Sequence, residues 1–220
     1  MSSLILKIIA VVTMAIDHVG FLFFPEEVIF RIIGRISFPL FAFLIAEGFQ
    51  KTKNVNAYLK RLSIFAVISQ IPFFFFEKSA GITDLNLNIL FTLALGVIAL
   101  MISVRIKNWP IKIFNIAIIL AVAYLGKFSY GIYGILSIIG SYIFLQNKKA
   151  GLIGLSILPF LENVRLFLSN IFFLQFFAIF SLVPIYFYNG KQGPKISRWW
   201  FYWFYPAHLA VLVLIFLIIK

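Results

Sequence analysis

Apolar runs, the first two of about 20 residues, follow one another along almost the whole chain, and nothing else constrains its fold as strongly. That is the length a helix needs to cross the hydrocarbon core of a bilayer. The runs fall at about 4–24, 28–49, 58–76, 87–104, 111–125, 128–145, 150–161, 166–188 and 199–219. The chain is 63% hydrophobic and 12% charged, where soluble domains carry about 45–50% apolar and about 25% charged residues. The expected fold is all-α: a polytopic integral membrane helical bundle of about nine transmembrane helices, one domain over residues 1–220. The run at 150–161 is short and Gly-rich, and the count becomes eight if it crosses only in part.

The charges between the runs alternate. Lys51, Lys53, Lys60 and Arg61, then Arg105, Lys107 and Lys112, then Lys148 and Lys149, then Lys191, Lys195 and Arg198 occupy every second loop. Glu26, Glu27, Glu77, Asp84 and Glu162 occupy the others. By the positive-inside rule the N-terminus lies in the cytoplasm, and nine spans put the C-terminus outside. The expected location is the cytoplasmic (inner) membrane. The net charge of +12 is explained by these loops, so nucleic acid is not an expected partner; the lipid bilayer is. The start, MSSLILK, has no strong basic region and no small-residue cleavage site, and reads as a retained first span. Cysteine is absent, which excludes a thiol nucleophile, a disulfide framework and a zinc-thiolate site; no metal is expected.

Ionisable groups inside apolar spans are expensive and usually face a protein interior or a wet cavity. The first two runs hold Lys7, Asp17, His18, Arg31, Arg35 and Glu47. Lys7, Val11, Met14 and His18 recur at the spacing of one helix face, with Lys7 and His18 roughly 16 Å apart along it. Asp17 points about 100° away from His18, so its expected partner is a cation on the next helix. With the alternating topology, Asp17, His18, Arg35, Gln70, Asn88 and Thr92 fall at one depth, roughly 5–10 Å below the outer surface. Glu47 and Lys7 lie nearer the cytoplasmic end. Each also has a plain structural explanation. Asp17 with Arg35 fits a structural ion pair, Gln70, Asn88 and Thr92 fit interhelical hydrogen bonds, and His208 fits a ring bonded to a carbonyl freed by Pro206.

Five runs in order, MAIDHVG, RIIGRISFPLFAFLIAEGFQKTKN, RLSIFAVISQIPF, LNILFTLALG and FYWFYPAHLAVL, resemble the TraX family of membrane proteins. The family takes its name from a conjugation-system protein that acetylates the N-terminus of pilin. It is similar in turn to a wider superfamily of transmembrane acyltransferases. One branch of that superfamily carries Arg or Lys, ten residues, then His in its first span, the His being its proposed catalytic base and acyl-coenzyme A the donor. Lys7 and His18 match that pattern, while Glu47 stands where a Ser is usual. The resemblance implies acetyl-CoA as donor substrate and an acceptor amine or hydroxyl, on a protein N-terminus, a glycan or a small molecule. On that reading His18 is the general base, Asp17 holds Arg35, and Arg35, Gln70 or Asn88 receives the oxyanion. Lys51, Lys53, Lys60 and Arg61, with Lys7 at their level, form a cluster able to hold the donor's phosphates. Two other classes compete: a small transporter using Asp17, His18 and Arg35 as a proton or ion relay, and a non-enzymatic assembly factor.

Overall fold

The structure, a computed structural model, describes residues 1–166 and 174–219. Among these it is all-helical: α1 (Ser3–Phe23), α2 (Val28–Gly34), α3 (Ser37–Lys51), α4 (Val55–Ser79), α5 (Ile89–Arg105), α6 (Trp109–Leu125), α7 (Gly131–Gln146), α8 (Lys148–Leu166), a 3-10 helix (Leu174–Ser181), α9 (Leu182–Tyr186) and α10 (Arg198–Ile219). The start of the run expected at 166–188 lies largely outside the described residues.

Among the described residues four helices are long and apolar enough to cross a membrane: α1, α2 with α3 taken together (Val28–Lys51), α4 and α10. The apolar helices α5, α6 and α7, at 17, 17 and 16 residues, are about 24–26 Å long. The lateral surface points the same way. Ile64, Val67, Ile68, Ile71, Phe74 and Phe75 form an exposed stripe down α4, recurring at the period of one helix face. Such a stripe is a liability in water and is matched to lipid. This is a membrane protein.

The second expected span is interrupted. Pro39 lacks an N–H and its ring would collide with the carbonyl of Arg35 in a continuous helix, so the chain turns through Arg35 and Ile36 between α2 and α3. The second piece, α3, is the hub. Phe38, Leu40, Ala42, Phe43 and Ala46 on several of its sides are almost fully buried, as expected of a helix that is apolar all round. It packs against α1, α5 and α7, while α4 runs along α10 and α5.

At one end the chain's start is strapped down. The amides of Ser3 and Leu4 donate to the carbonyls of Lys191 and Gln192 at 2.9 and 3.1 Å, and Asn189 N–H donates to Met1 O at 2.9 Å. At the opposite end the α4–α5 and α6–α7 loops meet, through the Leu87–Phe128 bridge and Lys127 paired with Asp84 at 3.4 Å.

Candidate active site

The two ends frame a cavity of about 910 Å³, within the roughly 300–1,000 Å³ of small-molecule sites. It reaches from the α4–α5 and α6–α7 loops down to Val11 and Phe201. Asp17, His18, Arg31, Arg35 and Gln175 all line it.

His18 meets α10. Its Nδ1 lies 2.8 Å from Nε2 of His208, with ring planes 11° apart and centroids at 5.1 Å. Nδ1 of His208 lies 2.8 Å from the carbonyl oxygen of Phe204. A carbonyl only accepts, so His208 Nδ1 carries the proton, and Nε2 of neutral His208 accepts from His18 Nδ1–H. The relay leaves the lone pair of neutral His18 on Nε2. His18 packs against the Phe76 ring at 5.0 Å. Lys7 shares the same α1 face and also meets α10, its ammonium 5.2 Å from the centroid of Phe201.

Asp17 turns to the second helix, as its position on α1 requires. Its closest partner is Arg31, at 2.7 Å; Arg35, the partner expected from the sequence, lies farther off, at 3.7 Å. The two arginines are four apart on one helical face, so the sequence alone does not choose between them. The carboxylate fits because residue 34 is Gly: a Cβ there would stand 2.0 Å from Asp17 Oδ1. The Arg31 guanidinium lies 4.6 Å over the Phe21 ring. Among the described residues Asp17 Oδ1 and Gln175 Nε2 are buried without a hydrogen-bond partner.

Gln70, Asn88 and Thr92 lie outside the cavity lining. Gln70 Nε2 donates to Asn86 O at 2.8 Å, and its Oε1 accepts from Asn88 Nδ2 at 2.8 Å. Asn88 also donates to Ala66 O at 2.7 Å and caps α5 through Leu90 N–H. Thr92 donates to Ser129 O at 2.5 Å. These are closed interhelical bonds of the kind that joins membrane helices.

Glu47 sits at the strapped end. Its Oε1 accepts from Ser3 Oγ at 2.5 Å, from Lys51 Nζ at 2.6 Å and from the Tyr188 hydroxyl. Lys51 also donates to Tyr188 Oη at 2.8 Å and Gly190 O at 2.9 Å. Lys53 and Lys60 are exposed, and Arg61 stacks over Tyr58 at 5.9 Å. Neither these cations nor Lys7 and Lys51 line the main cavity. The functional-site candidates that the sequence reading passed over are Arg31 and Gln175. A lone Gln in the apolar run LQFFAIF was the available signal for Gln175.

Fold and site together define a helical membrane protein whose polar cavity is built on a bonded histidine pair. The chain belongs to the TraX family: the family model described as TraX protein matches residues 2–216. It is 31% identical to the probable fimbrial assembly protein FimC, serogroup H1, of Dichelobacter nodosus, over 94% of this chain and 92% of that one. A shorter stretch is 42% identical to an uncharacterised protein of Rickettsia prowazekii (strain Madrid E), over 30% of this chain and 25% of that one. No solved structure matches.

Proposed function

We propose that the protein is a membrane-embedded acyltransferase, moving an acetyl or related acyl group from acyl-CoA to an amine or hydroxyl presented at the cavity. The observation that carries this reading is the relay Phe204 O, His208, His18. It fixes one tautomer and leaves the lone pair of His18 on Nε2, the arrangement a general base needs. An acceptor amine attacks the thioester carbonyl and forms the new N–C bond while His18 Nε2 takes its proton. The oxyanion forms beside Arg31, which Asp17 holds in place, and two guanidiniums around one carboxylate leave the surroundings positive. When the C–S bond breaks, the thiolate takes the proton back from His18. The acceptor class that family and relative favour is a fimbrial or pilus subunit.

The topology belongs to the same reading. Nine spans with the N-terminus in the cytoplasm put Lys53, Lys60 and Arg61 where a cytosolic donor's phosphates arrive, and the cavity loops on the outer side. A cysteine replacing Asn54 is then shielded from an impermeant thiol reagent in intact cells, and one replacing Ser79 is labelled. The reverse pattern removes the topology.

His18→Gln tests the chemistry, because Gln keeps a hydrogen bond and cannot take the proton. Release of CoA thiol from acetyl-CoA in the presence of an acceptor peptide should fall by about 10²–10⁴-fold, with the melting temperature held. A Gln variant with full transfer ends the enzyme reading and leaves the assembly role that the relative's name carries.

A further inference from the structure

The cavity holds a second polar feature that the proton relay does not use. Arg35 sits at the break between α2 and α3 with its guanidinium facing Gln175 of the 3-10 helix. Among the described residues its contacts are long: Nε to Arg31 O at 3.4 Å, Nη1 to Gln175 Oε1 at 3.5 Å and Nη2 to Asp17 Oδ1 at 3.7 Å. Charge-assisted bonds to a guanidinium normally close to about 2.7–2.9 Å. Asp17 makes such a bond, but to Arg31. The Arg35 side chain is only 14% exposed. Gln175 is 3% exposed, and its Nε2 closes no hydrogen bond of good geometry among the described residues, with only the Tyr133 hydroxyl beside it. Burying a donor without a partner is costly, and a buried guanidinium without a close anion is costlier.

We infer that Arg35 and Gln175 form an anion-holding subsite of the cavity, which takes a carboxylate or phosphate group of the substrate. A planar guanidinium fork beside an amide N–H matches two oxygens of such a group. Asp17 cannot fill the site, because its carboxylate is drawn to Arg31 and pressed against Gly34. The subsite gives the cavity a polarity: a basic nitrogen on the α1–α10 side, an anion anchor on the α3 and 3-10 side. It selects substrates that carry a negative group near the reacting atom, and it holds whatever reaction His18 performs.

The test measures binding without turnover, so it stands apart from acyl transfer. Purified protein in detergent is titrated calorimetrically with N-acetylglycine, with its neutral amide, and with inorganic phosphate. The carboxylate should bind saturably and at least about tenfold more tightly than the amide, the lower end for a hydrogen bond to a charged group. Phosphate binding with the same dependence on Arg35 and Gln175 assigns a phosphate group to the anchor in place of a carboxylate. Arg35→Gln should abolish the preference for the charged probes. Gln175→Glu is the sharper variant, since it keeps Arg35 and supplies an internal carboxylate that fills the site. It should lose anion binding while holding or raising its melting temperature, and it decides the matter if Arg35→Gln does not fold. Equal binding of acid and amide, or wild-type anion binding by Gln175→Glu, overturns the subsite.

Discussion

Two clusters of ionisable side chains lie at opposite ends of the bundle, and they differ in how well they are satisfied. At the strapped end Glu47 takes Ser3, Lys51 and Tyr188, and Lys51 takes Glu47, Tyr188 and Gly190 O. Only a small hollow of about 260 Å³, lined by Lys51 and Tyr188, adjoins it among the described residues. In the main cavity Asp17 closes tightly on Arg31, and among the described residues Arg35 and Gln175 are left with long or poor bonds. The first cluster has the closed bonding of a structural knot that ties the N-terminus, α3 and the loop before α10. The second has donors and a base left over, the groups that the proposed transfer uses.

Paired charge-neutral substitutions put that difference at risk. Glu47→Gln should lower stability by about 2 kcal/mol, below the about 3–5 kcal/mol of a fully buried pair because the Lys51 side chain is 34% exposed. Activity per folded molecule should stay within about twofold. Asp17→Asn should do the reverse. Arg31 loses its anchor, so transfer should fall by about 10–100-fold, while water in the cavity solvates the freed guanidinium and the melting temperature moves less than for Glu47→Gln. Thermal melts and CoA-thiol release on the same preparations read both. If Asp17→Asn proves the less stable and the more active of the two, the cavity cluster is also a structural knot.

How much of this was legible in the sequence follows from the range of each interaction. Helix positions were readable because each run meets its length and periodicity locally. The face shared by Lys7 and His18 was readable for the same reason, and both side chains do meet α10. The break between α2 and α3 was written in Pro39 and hidden by the continuity of the apolar pattern. The four-residue spacing of Arg31 and Arg35 left Asp17 two equivalent partners, and only the packing that seats Asp17 on Gly34 separates them. His208 reads as a ring bonded to the carbonyl that Pro206 frees, that of Tyr202; it bonds the carbonyl of Phe204 instead. Its second nitrogen meets a residue 190 positions away, a contact that exists only once α1 and α10 pack.

That contact is the next point of attack. His208→Phe should keep the packing against Phe204 and remove the acceptor for His18 Nδ1–H. His18 then loses its fixed tautomer but keeps its nitrogen, so transfer should fall by about tenfold, less than for His18→Gln. A plain packing role predicts no change in the pH–rate profile. An orienting role predicts an altered acidic limb, because the imidazolium formed on His18 loses its hydrogen-bond acceptor. An unaltered profile with an unaltered rate removes His208 from the relay.

The smallest effect expected is at the strapped end. Tyr188 is half-buried, and burial, with the Glu47 carboxylate beside it, pushes its phenol above the ordinary value. It therefore stays protonated, donates to Glu47 and accepts from Lys51. Tyr188→Phe leaves Glu47 with Ser3 and Lys51, so the loss should be about 1 kcal/mol or less at neutral pH. The sign of its pH dependence is fixed by the raised value. Unfolded tyrosine ionises near pH 10, the folded phenol later, so the unfolded state binds fewer protons above that point and wild-type stability falls as pH rises through it. The variant lacks this contribution. The gap between the two melting curves should hold at neutral pH and narrow above about pH 10, other tyrosines cancelling in the difference. A gap that widens with pH would mean that the Tyr188 phenolate forms readily in the folded protein, with Lys51 and not Glu47 as its dominant neighbour.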